Sequence, residues 1–183
     1  MPYLSTYPYI KVWHAGCSTG QEVLSHTILL HENNILEKAI IYATDFKETS
    51  IQQAENGIFP LSELEDSQNR YIQSGGKQKL TNYYHTLYNH GKIIDPIKQY
   101  ITYTYHNLAQ DGIFGEMNVI FCRNVLIYFD KKLQNKVFSL LLDSLRLGGY
   151  LCLGKSETIS FSDIKDKLQP VDKSNKIYKK IRR

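Results

Sequence analysis

A turn of small residues, Gly16-Cys17-Ser18-Thr19-Gly20, separates an apolar run, Ile10-Lys11-Val12-Trp13, from a stretch carrying Val23, Leu24, Ile28, Leu29 and Leu30 near helical spacing. Small residues let the backbone turn sharply and approach a ligand closely, and the start of the next helix offers unpaired N–H groups. The turn is neither a phosphate loop, since no Gly-Lys-Ser/Thr follows, nor a full GxGxxG pattern. Asp45 ends the β-rich run Ala39-Ile40-Ile41-Tyr42-Ala43-Thr44, 25 positions after Gly20. An acid there can accept hydrogen bonds from both hydroxyls of a ribose, or it can cap the following helix. Asn107 follows a third strand, where its amide can pair with an adenine edge or close an Asx turn. The segment FCRNVLIYFD, 121–130, ends a buried strand on Arg123-Asn124 and offers Tyr128 five residues later. A cation, an amide and a phenol at the rim of a sheet suit a polar substrate. The alternative is a surface ion pair with Tyr128 as packing.

These groups meet only if strands and helices alternate around a parallel sheet. The segment 47–56 reads as a short helix closed by Gly57. Residues 60–100 are polar and tyrosine-rich, and read as an insertion: a helix or two, then a small hairpin around 83–95. The core pattern resumes with strands at Tyr100–Tyr105 and Met117–Cys122. An amphipathic helix over 130–146 follows, capped by Asp130 and ended by Gly148-Gly149. Tyr150–Leu153 is a further strand, and Lys176–Ile181 alternates as an edge strand does. The expected class is α/β, with helices on both faces of a mainly parallel sheet and a ligand site at the carboxyl ends of its strands.

Length and composition agree with one domain. The 183 residues are 42% apolar and 22% charged, which excludes wholesale disorder. No apolar run is long enough for a membrane helix, and MPYLSTYPYIKVW lacks the basic start and apolar stretch of a signal peptide, so a cytoplasmic protein is expected. Cys17, Cys122 and Cys152 are odd in number and far apart, as fits buried thiols. The formal charge of +4 is local: Lys173, Lys176, Lys179, Lys180, Arg182 and Arg183 crowd the last eleven positions, and the rest of the chain is net −2. That excludes nucleic acid as a partner of the body of the chain. The six histidines show no ligand spacing, so no metal is expected.

In order and spacing, HAGCSTGQEVLS, IYATDF, NGIFPL, YHNL, CRNVLIYFD and LGGYLCLGKSE resemble the catalytic domain of CheR-type protein-glutamate O-methyltransferases. The insertion, with YIQSGG and YYHTLYNHG, looks most like the stand-alone, two-component-associated branch. The resemblance implies a Rossmann-like S-adenosylmethionine-dependent methyltransferase fold with a C-terminal antiparallel strand and a small inserted β-subdomain. It implies methyl transfer to glutamate side chains of a chemotaxis-receptor-like or signalling protein, with S-adenosylhomocysteine as the by-product. Carried over by position, Ala15, Gly16, Cys17, Ser18, Thr19, Gly20 and Gln21 would wrap the methionine portion of the cofactor. Asp45 would hold the ribose, and Asn107 with Leu108 would contact the adenine. Arg123, Asn124 and Tyr128 would line the transfer cleft, Asn124 on the cofactor, with Tyr128 near the sulfonium and Arg123 orienting the incoming carboxylate.

Three departures from the family pattern stand out. Gln21 replaces one acid of a Gly-Glu-Glu run that helps hold the cofactor's ammonium. Leu24 stands where an aromatic residue is common, which reads as local repacking. The all-helical domain that in relatives precedes the first strand and supplies an arginine to the active site is expected to be missing, either because the chain is a truncated form or because the protein works without it. Gln21 and the missing domain favour, as the alternative function, a weak or inactive module that binds cofactor or protein. The intact Arg123-Asn124-Tyr128 set opposes that alternative. A Rossmann methyltransferase acting on a small molecule or another residue type is a further alternative.

Overall fold

Along β1 (Ile10–Ala15) the side chains alternate, Ile10 and Val12 on one face and Trp13 and Ala15 on the other, and all four are buried. A strand buried on both faces requires cover on both, the condition for a parallel sheet between helices. The computed structural model describes residues 6–182 and meets that condition. The first half of the chain continues through α1 (Gln21–Glu32), β2 (Ala39–Asp45), α2 (Glu48–Asn56), β3 (Ile58–Pro60), α3 (Leu61–Gln73), β4 (Tyr84–Leu87), β5 (His90–Ile93) and α4 (Asp95–Lys98). The second half runs β6 (Ile101–Tyr105), β7 (Met117–Cys122), α5 (Lys131–Asp143), β8 (Leu145–Leu153), β9 (Leu168–Asp172) and β10 (Ile177–Lys180).

Seven strands form one sheet in the order β6-β2-β1-β7-β8-β10-β9. The pairs β1–β2, β1–β7, β2–β6 and β7–β8 are parallel, and β10 runs against both of its neighbours. The chain leaves β1 toward β2 on one side and later enters β7 on the other. That reversal opens a crevice outside the carboxyl ends of the two strands. Val23, Leu24 and Ile28 of α1 pack with Val12 and Ile41 on one face, while Val137, Phe138 and Leu141 of α5 pack with Trp13 and Ile120 on the other. Asp130 caps α5 as expected, accepting from the Leu133 N–H at 2.8 Å.

The details differ from expectation in several places. Helix α5 ends at Asp143, not at Gly148-Gly149, and those glycines lie inside β8 where its register against β7 shifts. The buried Leu145 satisfies a helical and a strand pattern equally, which hid the boundary. Strand β9 contains Pro170, which reads as a breaker but is tolerated at an edge. The edge therefore belongs to β9, and β10 lies between it and β8. The basic end is also not all solvated: Lys180 is buried, and its ammonium donates to the carbonyls of Leu142 and Leu145 at 2.7 Å each, beside the C-terminus of α5. Arg183 and residues 1–5 of the N-terminal stretch lie outside the described residues.

The insertion forms a second, antiparallel sheet, β3-β5-β4, and begins two residues before position 60 because β3 is only three residues long. It is less polar than it reads. Phe59, Tyr71, Tyr83, Tyr84 and Ile93 are buried in the core on the α1 face. Glu32, at the end of α1, accepts from the Tyr71 and Tyr83 hydroxyls at 2.5 and 2.9 Å and from the N–H groups of Lys77 and Gln78 at 2.9 and 3.1 Å. Cys17, Cys122 and Cys152 are buried and form no disulfide. No helix among the described residues is long and apolar enough to cross a membrane.

Candidate active site

The carboxyl ends of the central strands open on a cleft of about 910 Å³, the size of a small-molecule site. Gly16, Cys17, Ser18, Gln21, Asp45, Asn107, Leu108, Arg123, Asn124 and Tyr128 line it. The other three sequence candidates do not. Ala15 is buried in the core at the end of β1, and Thr19 and Gly20 complete the turn into α1.

The turn is built for close approach. Gly16 has φ +79°, and a Cβ there would lie 2.5 Å from Cγ2 of Val125 on the opposite wall. The N–H groups of Gly16 and Cys17 both donate to the Thr44 carbonyl at 2.8 Å, which fastens the turn to the end of β2. Ser18 and Asn124 hold left-handed φ values of +49° and +59°, unusual for residues other than glycine. The Asp45 carboxylate accepts from the Ser18 N–H at 2.9 Å and the Lys47 N–H at 3.0 Å. Asp45 therefore braces the start of α2 and borders the cleft at once, and a carboxylate with about four acceptor sites keeps some for a ligand. Asn107 does close an Asx turn: its side-chain oxygen accepts from the Ala109 N–H at 2.9 Å, which leaves Nδ2 to pair with a ligand.

On the other wall, the Arg123 guanidinium donates to Oε2 of Glu22. Oε1 of Glu22 lies 3.3 Å from Nδ1 of His14, and Nε2 of His14 lies 3.2 Å from Nδ1 of His26. Phe121 stacks on the buried His14 ring at 4.6 Å. Burial opposes ionisation of Glu22, but the hydrogen bond and charge of His14 and then the Arg123 guanidinium outweigh it, so this carboxyl titrates below its usual range. His26 is pushed well below the ordinary imidazole value of 6.5, first by burial and then by His14. A histidine kept neutral by the fold is protonated more readily in the unfolded chain, so stability falls as pH drops below about 6.5. The thermal midpoint is expected to fall between pH 7.5 and 5.5, and to fall less in His26→Gln; an equal fall in both proteins would contradict the sign.

Several lining residues escaped the sequence reading: Glu22, Phe46, Lys47, Ser50, His106, Val125 and Phe129. Phe46 and His106 were findable, because each adjoins a candidate at the carboxyl end of a strand. His106 is buried with Nε2 3.1 Å from the Gly112 carbonyl, and its Nδ1 has no partner among the described residues. Phe46 exposes 69% of its surface beside Asp45. An aspartate at the rim, a bare aromatic face and a close-approach turn together fit an adenosyl ligand. Burial and the adjacent Asp45 push the Cys17 thiol up to about 12, so it is an unreactive lining group. No group of three or more His, Cys, Asp or Glu residues that could hold a metal occurs among the described residues.

Known proteins place this arrangement. The chain is 40% identical over 180 residues to a Pseudomonas putida protein that carries the name methyltransferase Cher3, covering 98% of this chain and 66% of that one. It is 29% identical over 173 residues to a chemotaxis protein methyltransferase of Vibrio parahaemolyticus, covering 88% of this chain and 58% of the relative. The chain thus spans less than two thirds of either relative. Among solved structures, the StiE O-MT region 961–1257 superposes with TM-score 0.52 at 17% identity, covering 92% of this chain and 48% of that one. The glycopeptide N-methyltransferase MtfA, complexed with sinefungin, does so with TM-score 0.52 at 7% identity, covering 83% and 45%. These likenesses establish the Rossmann-like methyltransferase fold. Residues 4–177 match the family described as CheR methyltransferase, SAM binding domain, and the chain belongs to that family.

Proposed function

We propose that the cleft holds S-adenosylmethionine and that the chain, as one methyltransferase unit with an insertion, methylates the side-chain carboxylate of a glutamate in a signalling protein. The observation that carries this reading is that Asp45, Asn107, Arg123, Asn124 and Tyr128 come from three separate strand ends and line a single cleft. When bound, the cofactor supplies a methyl group on a positively charged sulfur, which keeps the bonding electron pair and leaves as the thioether of S-adenosylhomocysteine when a carboxylate oxygen takes the methyl. Asp45 would accept from the ribose hydroxyls, and Asn107 Nδ2, Leu108 and Phe46 would hold the adenine. A glutamate is already ionised at neutral pH, so no strong base is required of the protein. What the protein must supply is alignment and exclusion of water, worth up to about 7–11 kcal/mol in well-oriented systems. Arg123 has donors beyond the one engaged by Glu22, and these would orient the acceptor carboxylate beneath Tyr128.

One test is incubation with methyl-labelled cofactor and chemoreceptor cytoplasmic domains, followed by mild base. A base-labile label supports the ester; a base-stable label points to another acceptor type. Two observations favour the second reading, a binding module with little turnover: Glu22 already occupies Arg123, and Gln21 brings no charge to the cofactor's ammonium. Gln21 is exposed, with Oε1 accepting from the Thr19 hydroxyl at 2.7 Å. Gln21→Glu is expected to tighten S-adenosylhomocysteine binding several-fold by calorimetry. Unchanged affinity would remove that part of the argument.

A further inference from the structure

Glu157 is almost inaccessible, at 4% exposure, yet it belongs to no salt bridge among the described residues. Its four hydrogen bonds all come from backbone. Oε1 accepts from the N–H groups of Val125 and Leu126 at 2.9 and 2.8 Å, and Oε2 from those of Asn124 and Gly154 at 3.1 and 2.6 Å. Three of those donors are the consecutive residues Asn124, Val125 and Leu126, directly after Arg123, and the first two line the cleft. The fourth is in the segment that follows β8. From the other side, the side-chain amide of Gln134 on α5 donates to the carbonyls of Leu126 and Phe129 at 2.9 and 3.0 Å. The short 3₁₀ turn Leu126–Tyr128 is therefore held at its start, where Glu157 accepts from the Leu126 N–H, and Gln134 donates to the Leu126 carbonyl and to that of Phe129 just past its end.

The wall needs such holding. Asn124 sits at φ +59°, left-handed backbone that asparagine tolerates better than other residues with a side chain but does not favour. Gly154 lets the two segments touch: a Cβ there would lie 2.5 Å from Oδ1 and 2.8 Å from the backbone nitrogen of Asn124. We infer that Glu157 is the positioning residue of the transfer cleft, a carboxylate that fixes the backbone carrying Arg123, Asn124 and Tyr128 without itself facing the ligand. The inference rests on the cofactor reading above for its consequence, but not for its geometry. A neutral glutamine cannot replace Glu157, because its NH₂ group would face two N–H donors, and an aspartate is one methylene too short to span both segments.

The test compares Glu157→Gln and Glu157→Ala with Glu32→Gln. Glu32 is a matched control, a carboxylate with four donors that fastens the insertion and does not line the cleft. S-adenosylhomocysteine affinity is read by calorimetry well below each protein's unfolding midpoint, with the bound stoichiometry reporting the folded fraction. Amide hydrogen exchange is followed at Asn124, Val125, Leu126 and Gly154. Both Glu157 variants are expected to lose protection at these four amides and to bind about tenfold or more weakly at unchanged stoichiometry. Glu32→Gln is expected to lower the midpoint and keep the affinity. Protected amides in Glu157→Gln, or equal affinity losses in the Glu157 and Glu32 variants, would overturn the inference. Should the unmutated protein bind no S-adenosylhomocysteine, the cofactor reading fails, and the exchange data alone decide whether Glu157 holds the wall.

Discussion

Asp45→Ala is expected to weaken both S-adenosylmethionine and S-adenosylhomocysteine by more than about tenfold, the scale of one or two lost charge-assisted hydrogen bonds. The loss has two sources. The ribose hydroxyls lose their acceptor, and the Ser18 and Lys47 N–H groups lose theirs, so the glycine turn is freed from the start of α2. Asp45→Asn separates them, since an amide oxygen can still serve one of the two backbone donors but brings no charge to the ribose. Calorimetry should rank the proteins Asp45, then Asn, then Ala. Alanine binding as tightly as aspartate would end the case for a nucleoside at this position.

The largest effect on stability is expected at Trp13. This side chain is wholly inaccessible, its indole N–H donates to the Thr44 hydroxyl at 2.9 Å, and its ring stacks on Phe114 at 4.9 Å and meets His106 edge-on at 5.3 Å. Truncating a buried aromatic costs about 3–5 kcal/mol, from lost transfer energy and the cavity left behind. For a chain of this length that lowers the thermal midpoint by roughly 10 °C. Trp13→Phe refills most of the space and leaves only the Thr44 hydroxyl unpaired, so it should recover most of the loss. Because Trp13 backs His106, the alanine variant should also bind S-adenosylhomocysteine more weakly while still folded. A midpoint within about 2 °C of the unmutated protein would show that the ring is not the support described here.

The parts of the fold that follow a strong period were readable from the chain. β1 is an apolar run that ends on a small-residue turn and α1 repeats near 3.6, so the elements that bring the glycine turn and Asp45 together could be placed without coordinates. The Arg123–Tyr128 segment was legible for another reason: such polar types at the end of an apolar strand are rare. What stayed hidden has physical causes. β3 is too short to show a period, β9 carries a proline that only an edge allows, and Leu145 suits a helix and a strand alike. Glu22 was hidden because its ion-pair partner, Arg123, is 101 positions away, and His14, only eight away, lies on a different element, so neither pairing shows in a local pattern. Glu157 was hidden more completely: its partners are main-chain N–H groups, which leave no trace in residue type.

The place of β10 has a consequence for synthesis. A chain emerging from the ribosome makes β9 before β10, yet β9 bonds only to β10 and has no ladder to join until residues 177–180 are free of the exit tunnel. Until then β8 presents a bare flank, and Leu142 and Leu145 lack the ammonium of Lys180 on their carbonyls. The nascent protein can build the half that holds the glycine turn early, but it must wait for β10 to seal the other half. Exposed strand flanks invite association with other chains. The interval before residues 177–180 arrive is therefore when this protein most needs shielding.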